Sequence, residues 1–432
     1  MLTGCSTHAE PSNTTASGAG DQSSAAVTSS DGGASSSAAS GGSSKPQGSS
    51  STYSSTSHKL IISPDGTPAV SETSSSSTST TTSETPASSA PISSTPSSSS
   101  TTSSSVSSSS TPASSSEKPV EKPPVSTSGT PVAQHGALSV KGAYLVDASG
   151  NKVQLRGMST HGIGWFPEYV NYDTFKFLRD DWNTNCIRLA MYTYENGGYC
   201  SDGDKQWLKS LVNNGVDYAT QLGMYVIIDW HVLGEQNPLR FKDEAKKFFD
   251  EMSKKYANYS NVLYEICNEP NNTGWGDIKA YANEIIPVIR ANDPNSVIIV
   301  GTPTWSQEID QAAASPLQFD NLMYTLHFYA DTHTDWLRSR METCINGGLP
   351  VFISEFGMCD ASGNGNVNEW QSEQWKSLID KYNVSYMCWN LANKNESSSI
   401  LRSGCSKLYG WTDSDLSTQG KLIRKWFVNE KD

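Results

Sequence analysis

No stretch of this 432-residue chain is apolar for the roughly 18 residues a membrane span needs, so nothing in it reads as a transmembrane helix. Positive charge is scarce: 31 Lys and Arg stand against 44 Asp and Glu, a formal net charge of −13. That balance argues against nucleic acid and against an electrostatically held membrane surface, and it suits a neutral polymer as ligand. The eight cysteines include no Cys-x-x-Cys and no His/Cys spacing of the kind that holds zinc. No Gly-x-Gly-x-x-Gly follows the first strand, which counts against a dinucleotide-binding open sheet.

The first third lacks the makings of a core. Residues 11–133 are dominated by Ser, Thr, Gly, Ala and Pro, with too little apolar area to offset the entropy of ordering them, and they read as a polar tether. One less polar island, "HKLIISPDGTPAV" at 58–70, is too short for a core. Residues 1–133 hold four Lys/Arg and eight Asp/Glu, which leaves −9 for residues 134–432. From residue 134 to 432 the composition turns globular, about the size of one barrel domain. Residues 1–10 form a third segment, in which "LTGCS" is similar to a bacterial lipoprotein lipobox and makes Cys5 a candidate for lipidation. The rival expectation is a freely secreted protein in which Cys5 is a coincidence. Setting Cys5 aside leaves seven cysteines, an odd number. Cys186, Cys267 and Cys388 sit in apolar runs as small core residues, whereas Cys200, Cys344, Cys359 and Cys405 lie nearer loops or helix ends, where a bridge stays open.

What is present is an alternation. Eight short apolar runs, "KVQLRGMST", "CIRLAMY", "MYVIIDWH", "VLYEICNE", "SVIIVGT", "LMYTLHFY", "PVFISEFG" and "SYMCWNL", are separated by segments of helical period such as "DKQWLKSLVNNGVDYATQLG". Eight strand–helix units predict an α/β fold, a (β/α)8 TIM barrel with a buried parallel sheet; a doubly wound open sheet is the runner-up. Ahead of it, "ALSVKGAYLVDASGNKV" predicts a β-hairpin, turning at "DASGN", that plugs the barrel bottom.

In such a barrel the C-terminal strand ends converge on one mouth. Those ends carry His161, Arg188, His231, Asn268 with Glu269, His327 with Tyr329, Glu355 and Trp389. Packing alone does not call for so many polar strand ends, because a buried carboxylate costs free energy unless it is paired or used. Glu269 and Glu355, three strands apart, are expected to face each other at the roughly 5–5.5 Å that retaining glycosidases use. Arg188 is expected to reach Glu355 and hold it ionised, with Tyr329 hydrogen-bonding the same carboxylate. Trp165, Tyr192, Trp305 and Trp389 are expected on loops at the same end, where flat rings stack on sugar faces.

Taken together, "RGMSTHGIGWF", "IRLAMY", "DWH", "EICNEPNN", "LHFYA", "FISEFG" and "WNLANKNE" resemble family 5 of the glycoside hydrolases, specifically its bacterial endoglucanase branch, over residues 136–429. The resemblance implies an endo-β-1,4-glucanase acting on β-1,4-glucan by a retaining mechanism, with Glu269 as acid/base and Glu355 as nucleophile. It implies Asn268 on the sugar 2-hydroxyl and Arg188, His231, His327 and Tyr329 around the cleavage subsite. His161, Trp165, Tyr192, Ala361, Trp389, Lys394 and Glu396 are implied on the non-reducing side, and Trp305 and His333 on the leaving-group side. No cofactor and no metal are implied, and the chain is expected to be an extracellular monomer, either secreted or lipid-anchored. Other readings remain: a mannanase or xyloglucanase of the same family, a non-catalytic polysaccharide-binding barrel, or a metal site built from His161, His231 and His327.

Overall fold

A computed structural model describes residues 128–429. Cys5, the island at 58–70 and nearly all of the tether lie outside the described residues. The first element among the described residues is a short helix α1 (Pro131–His135), which spans residue 134. Two features hold it in place: a proline at the first helical position, where its missing N–H costs nothing, and Val132, which is buried and donates its backbone N–H to the Gly223 carbonyl at 3.0 Å.

The hairpin is β1 (Ser139–Lys141) against β2 (Tyr144–Val146). Its turn is at Gly142 (φ 59°), not at "DASGN". The DASGN turn follows instead, held by Asp147 Oδ1, which accepts from Ser149 and Asn151 N–H at 2.9 Å each, and it is closed by a single bridge from Val146 to Lys152. The two-residue turn prevails because glycine supplies the left-handed backbone it requires.

The sheet then runs β3 (Arg156–Thr160), β4 (Cys186–Tyr192), β5 (Tyr225–His231), β6 (Val262–Glu265), β7 (Ile298–Val300), β8 (Leu322–Thr325) with β9 (Phe328–Tyr329), β10 (Val351–Gly357) and β11 (Tyr386–Leu391). All neighbours are parallel, and β11 pairs with both β3 and β10, which closes the barrel. β8 and β9 share one stave, both pairing with β10 and interrupted at Leu326 and His327. The crossovers include α2 (Tyr172–Trp182), α3 (Lys205–Leu222), α4 (Lys242–Tyr256), α5 (Trp275–Asn292), the four-residue α6 (Pro303–Ser306), α7 (Ile309–Ala314), α8 (Asp335–Asn346) and α9 (Glu369–Tyr382), and α10 (Thr418–Asn429) follows the last strand. Asn171, Asp204 and Asn368 cap α2, α3 and α9 by accepting backbone N–H bonds, and Gly223 ends α3 at φ 65°.

Strand period places the site. Ile187 and Leu189 of β4, Val226, Ile228 and Trp230 of β5 and Tyr264 of β6 face outward into the packed helices. Their alternates face in, and at the bottom those are apolar: Cys186, Tyr225, Ile227 and Leu263 pack with Leu138 and Leu145 of the hairpin region. One step further up each strand the inward positions become Arg188, Asp229 and Glu265. The hairpin therefore does plug the bottom, and the charge is collected at the top.

Candidate active site

Arg188 is the hub. It is the third residue of β4, below the strand end where it was expected, and it is fully buried. Its Nε and Nη2 donate to Glu265 at 2.7 and 3.1 Å, and Nη2 also donates to Asn268 Oδ1 at 2.6 Å and lies 3.0 Å from Asp229. Nη1 donates to Ser159 at 3.2 Å and to Glu355 at 3.3 Å. Every guanidinium proton is committed, so the group is held charged and rigid, as a planar fork can be. Asp229 and Glu265 escaped the sequence reading. The available signal was a carboxylate in mid-strand within an apolar run, a placement that needs a buried cation.

Both carboxyls at the mouth are buried, but their surroundings differ. Glu355 follows a register shift between Ile353 and Phe356 that lets Ser354 and Glu355 both face the interior. Its Oε1 accepts from the Tyr329 hydroxyl at 2.9 Å and its Oε2 from Arg188. Among the described residues the Glu269 carboxyl meets only the His327 side chain, with Oε1 2.8 Å from Nδ1. Burial pushes Glu269 up to about 8. Glu355 rises only to about 7: burial and the neighbouring Glu269 push it up, while Arg188 and the Tyr329 hydroxyl favour its charged form. Facing oxygens of Glu269 and Glu355, together with a His327 nitrogen, lie within 4.8 Å of one another.

Donor counting locates the proton between the two sites. Ser354 Oγ has one proton and donates it to Glu265 at 2.7 Å. Toward His327 Nε2, 2.9 Å away, it must therefore accept. Burial pushes His327 down to about 4, so the ring is neutral and its single proton is the one on Nε2. Nδ1 is then an acceptor, and its contact with Glu269 requires the proton to be on the glutamic acid. The same counting orients His231, whose Nδ1 donates to Asp229 at 2.6 Å while Nε2 accepts from Asn268 Nδ2 at 3.2 Å. Asn268 spends its second amide proton on the Val232 carbonyl, at 3.2 Å. Any further hydrogen bond to a ligand is therefore one that its Oδ1 accepts.

The cleft above these groups has a volume of about 540 Å³ and is lined by His161, Tyr192, His231, Trp305, His333, Ala361, Trp389, Lys394 and Glu396 along with the carboxyls. Tyr192 and Trp389 belong to β4 and β11 rather than to loops. At one end Trp165 packs on Tyr192 with centroids 4.4 Å apart, and Trp389 stacks on His231 at 5.3 Å and 17°. Glu396 binds Lys394 at 2.7 Å, and Asn390 and Ser398 hold its other oxygen at 2.8 and 3.0 Å. Trp305, at the unusual φ of 54°, is anchored by its N–H on the Pro270 carbonyl at 3.0 Å. Leu233, Gln307, Ser362, Gly363 and Ser398 also line the cleft; they are ordinary loop residues with no sequence signal of their own.

The three histidines do not converge as a metal site. Both nitrogens of His231 and His327 are committed to side chains, and the described group with ligand-like spacing is Glu269, His327 and Glu355. All seven described cysteines are free thiols, so Cys200, Cys344, Cys359 and Cys405 form no bridge among themselves.

Comparison with known proteins places these features among relatives. The cellulase (glycosyl hydrolase family 5) family model matches residues 146–395. An endoglucanase of Clostridium saccharobutylicum is 51% identical over 294 residues, 67% of this chain and 64% of the relative. Endoglucanase A of Butyrivibrio fibrisolvens is 48% identical over 300 residues, 68% of each chain. The chain thus spans about two thirds of the length of these curated relatives. Among solved structures, cellulase Cel5C_n superposes with a TM-score of 0.69 at 44% identity, covering 71% of this chain and 96% of that one. The catalytic domain of Thermobifida fusca endoglucanase Cel5A in complex with cellotetraose gives a TM-score of 0.67 at 37% identity, covering 70% and 100%.

Proposed function

The chain belongs to glycosyl hydrolase family 5, the cellulase family, and from that premise we propose that it is an endo-β-1,4-glucanase that cleaves internal bonds with retention of configuration. The observation that carries the mechanism is the short carboxyl separation. A Glu269 oxygen within 4.8 Å of a Glu355 oxygen fits the roughly 5–5.5 Å spacing of retaining enzymes rather than the roughly 6.5–9.5 Å that makes room for water in inverting ones.

In this reading Glu355, kept ionised by Arg188 and Tyr329, attacks the anomeric carbon. Glu269 gives its proton to the departing glycosidic oxygen as that bond breaks. The resulting glycosyl–Glu355 ester is then hydrolysed by a water that loses its proton to the Glu269 carboxylate. His327 presents its Nδ1 lone pair to the acid and so keeps the proton on the cleft side of the network. Asn268, pinned on three sides, meets the equatorial 2-hydroxyl next to the reacting carbon. The aromatic end with Lys394 and Glu396 binds the non-reducing side, and Trp305 and His333 meet the leaving group. Mannanase and xyloglucanase remain the rival specificities. An axial 2-hydroxyl would leave buried polar groups at Asn268 mispaired, and that favours glucan.

Proton NMR of the first products from carboxymethylcellulose tests the mechanism: the β-anomer is expected first, with the α-anomer growing in by mutarotation. An initial α-anomer would mean inversion. In a substrate panel, carboxymethylcellulose and mixed-linkage β-glucan are expected to be cleaved faster than mannan or xylan. Mannan cleaved as fast as glucan would overturn the substrate and leave the family intact.

A further inference from the structure

Beyond the lined cleft stands a tryptophan that none of the assigned roles uses. Trp336, in the first turn of α8, is 48% exposed, as much as Trp305 inside the cleft at 44%. A single exposed aromatic calls for no explanation by itself, but this one is clamped. Its ring meets the His333 ring edge-on, with centroids 5.8 Å apart, and the Arg340 guanidinium lies over it at 5.6 Å.

Both clamps belong to the same end of the cleft. His333 lines the cleft and is fixed to Tyr329, whose backbone N–H donates to His333 Nδ1 at 2.7 Å. Arg340 donates through Nη1 to the Gln307 carbonyl at 2.9 Å and pairs through Nε with Asp310 at 3.1 Å. Gln307 also lines the cleft and lies two residues from Trp305. Arg340 therefore ties the Trp305–Gln307 loop to the helix that carries Trp336. Trp305 and His333 line the same cleft, and Trp336 adjoins His333.

We infer that Trp336 is an outer sugar platform on the leaving-group side, stacking on a glucosyl unit of the chain beyond the one that Trp305 and His333 receive. A flat ring fixed before binding costs little ordering entropy and offers a π face to the apolar face of a pyranose. The occupant is the reducing-side continuation of a β-glucan already threaded through the cleft. The inference rests on the glucanase reading above.

The test uses the full chain and a ratio. For wild type, Trp336→Ala and Trp336→Phe, kcat/KM is measured for cellohexaose and for an aryl cellobioside, whose aryl group ends at the first leaving-group position. In Trp336→Ala the ratio of the first to the second is expected to fall about three- to tenfold, the scale of one aromatic stacking contact. Trp336→Phe is expected to keep the ratio within about twofold of wild type. Any loss of folded enzyme cancels in the ratio. A Trp336→Ala ratio equal to wild type, or an equal fall on both substrates, overturns the platform. Absence of cellohexaose cleavage by the wild type would instead overturn the glucanase reading, so the two failures are separable.

Discussion

Glu269 and Glu355 are the same side chain in two surroundings, and the difference lies in which donors reach each one. Two donors, the Arg188 guanidinium and the Tyr329 hydroxyl, meet Glu355, whereas Glu269 meets the lone pair of a neutral imidazole. Replacing Glu355 or Glu269 by Ala is expected to lower kcat on soluble cellulose by about 10²–10⁴-fold or more, with circular dichroism unchanged, since neither step has a substitute. Azide is expected to restore part of the Glu355→Ala rate on activated aryl cellobiosides. Near-wild-type turnover of polymer by Glu355→Ala would remove it as the nucleophile. The same asymmetry sets the pH response. In the proposed mechanism Glu269 is the acid and Glu355 the anion, so activity is expected to fall as pH rises through about 8 and as it drops below about 7. The pH profile of kcat/KM on cello-oligosaccharides is expected to be a narrow bell. With a dinitrophenyl leaving group, which needs no proton, the basic limb should flatten. A basic limb that stays steep would place another group, not Glu269, on that side.

At the scale of the element, the barrel depends on close approach where strands meet. A Cβ on Gly157 of β3 would lie 1.8 Å from the Cys186 carbonyl oxygen of β4, a backbone atom that cannot swing away. Gly157→Ala is expected to cost about 3 kcal/mol or more, since the two strands must part at the barrel's base. In a thermal melt that is a fall of roughly 6–12 °C, at about 2–4 °C per kcal/mol for a domain of this size. Asp204→Ala, which removes the α3 cap formed at 2.9 and 3.1 Å, is expected to cost only about 1 kcal/mol. Equal melting temperatures for the two variants would mean that β3 and β4 tolerate separation. The register shift at β10 works in the same way, as a local departure from regular pairing that presents two successive residues, Ser354 and Glu355, to the interior.

At the scale of the whole molecule, a polar segment of some 125 residues precedes the barrel. We propose that it tethers an extracellular enzyme through a lipidated Cys5. Its Ser, Thr, Gly, Ala and Pro composition suits a spacer between a membrane surface and insoluble polysaccharide. With the native upstream reading frame expressed, the protein is expected to enter the detergent phase and to incorporate a fatty-acid analogue, and Cys5→Ser is expected to lose both. Wild-type protein that appears in the medium, aqueous and unlabelled, would leave a secreted enzyme and a coincidental cysteine.

Period-2 apolar runs, period-3.6 helices and the N-E-P and S-E-F-G motifs are local in the chain, and from them alone the barrel, the bottom plug and both glutamates could be read. Contacts across the sequence could not. Arg188 meets Asp229 and Glu265 on two other strands, and nothing in "IRLAMY" says which of several carboxylates will surround it. The proton on Glu269 follows from a neutral His327 together with Ser354, a serine with no motif value, because that hydroxyl has one proton and Glu265 takes it. The hairpin turn went to Gly142 over DASGN, and Arg340, a local neighbour of the Trp336 ring, was tied to the Trp305 loop only when α8 packed beside it. Local pattern dictates which residues face inward; which of them share a hydrogen bond depends on strand register and barrel closure, and these exist only in the folded chain.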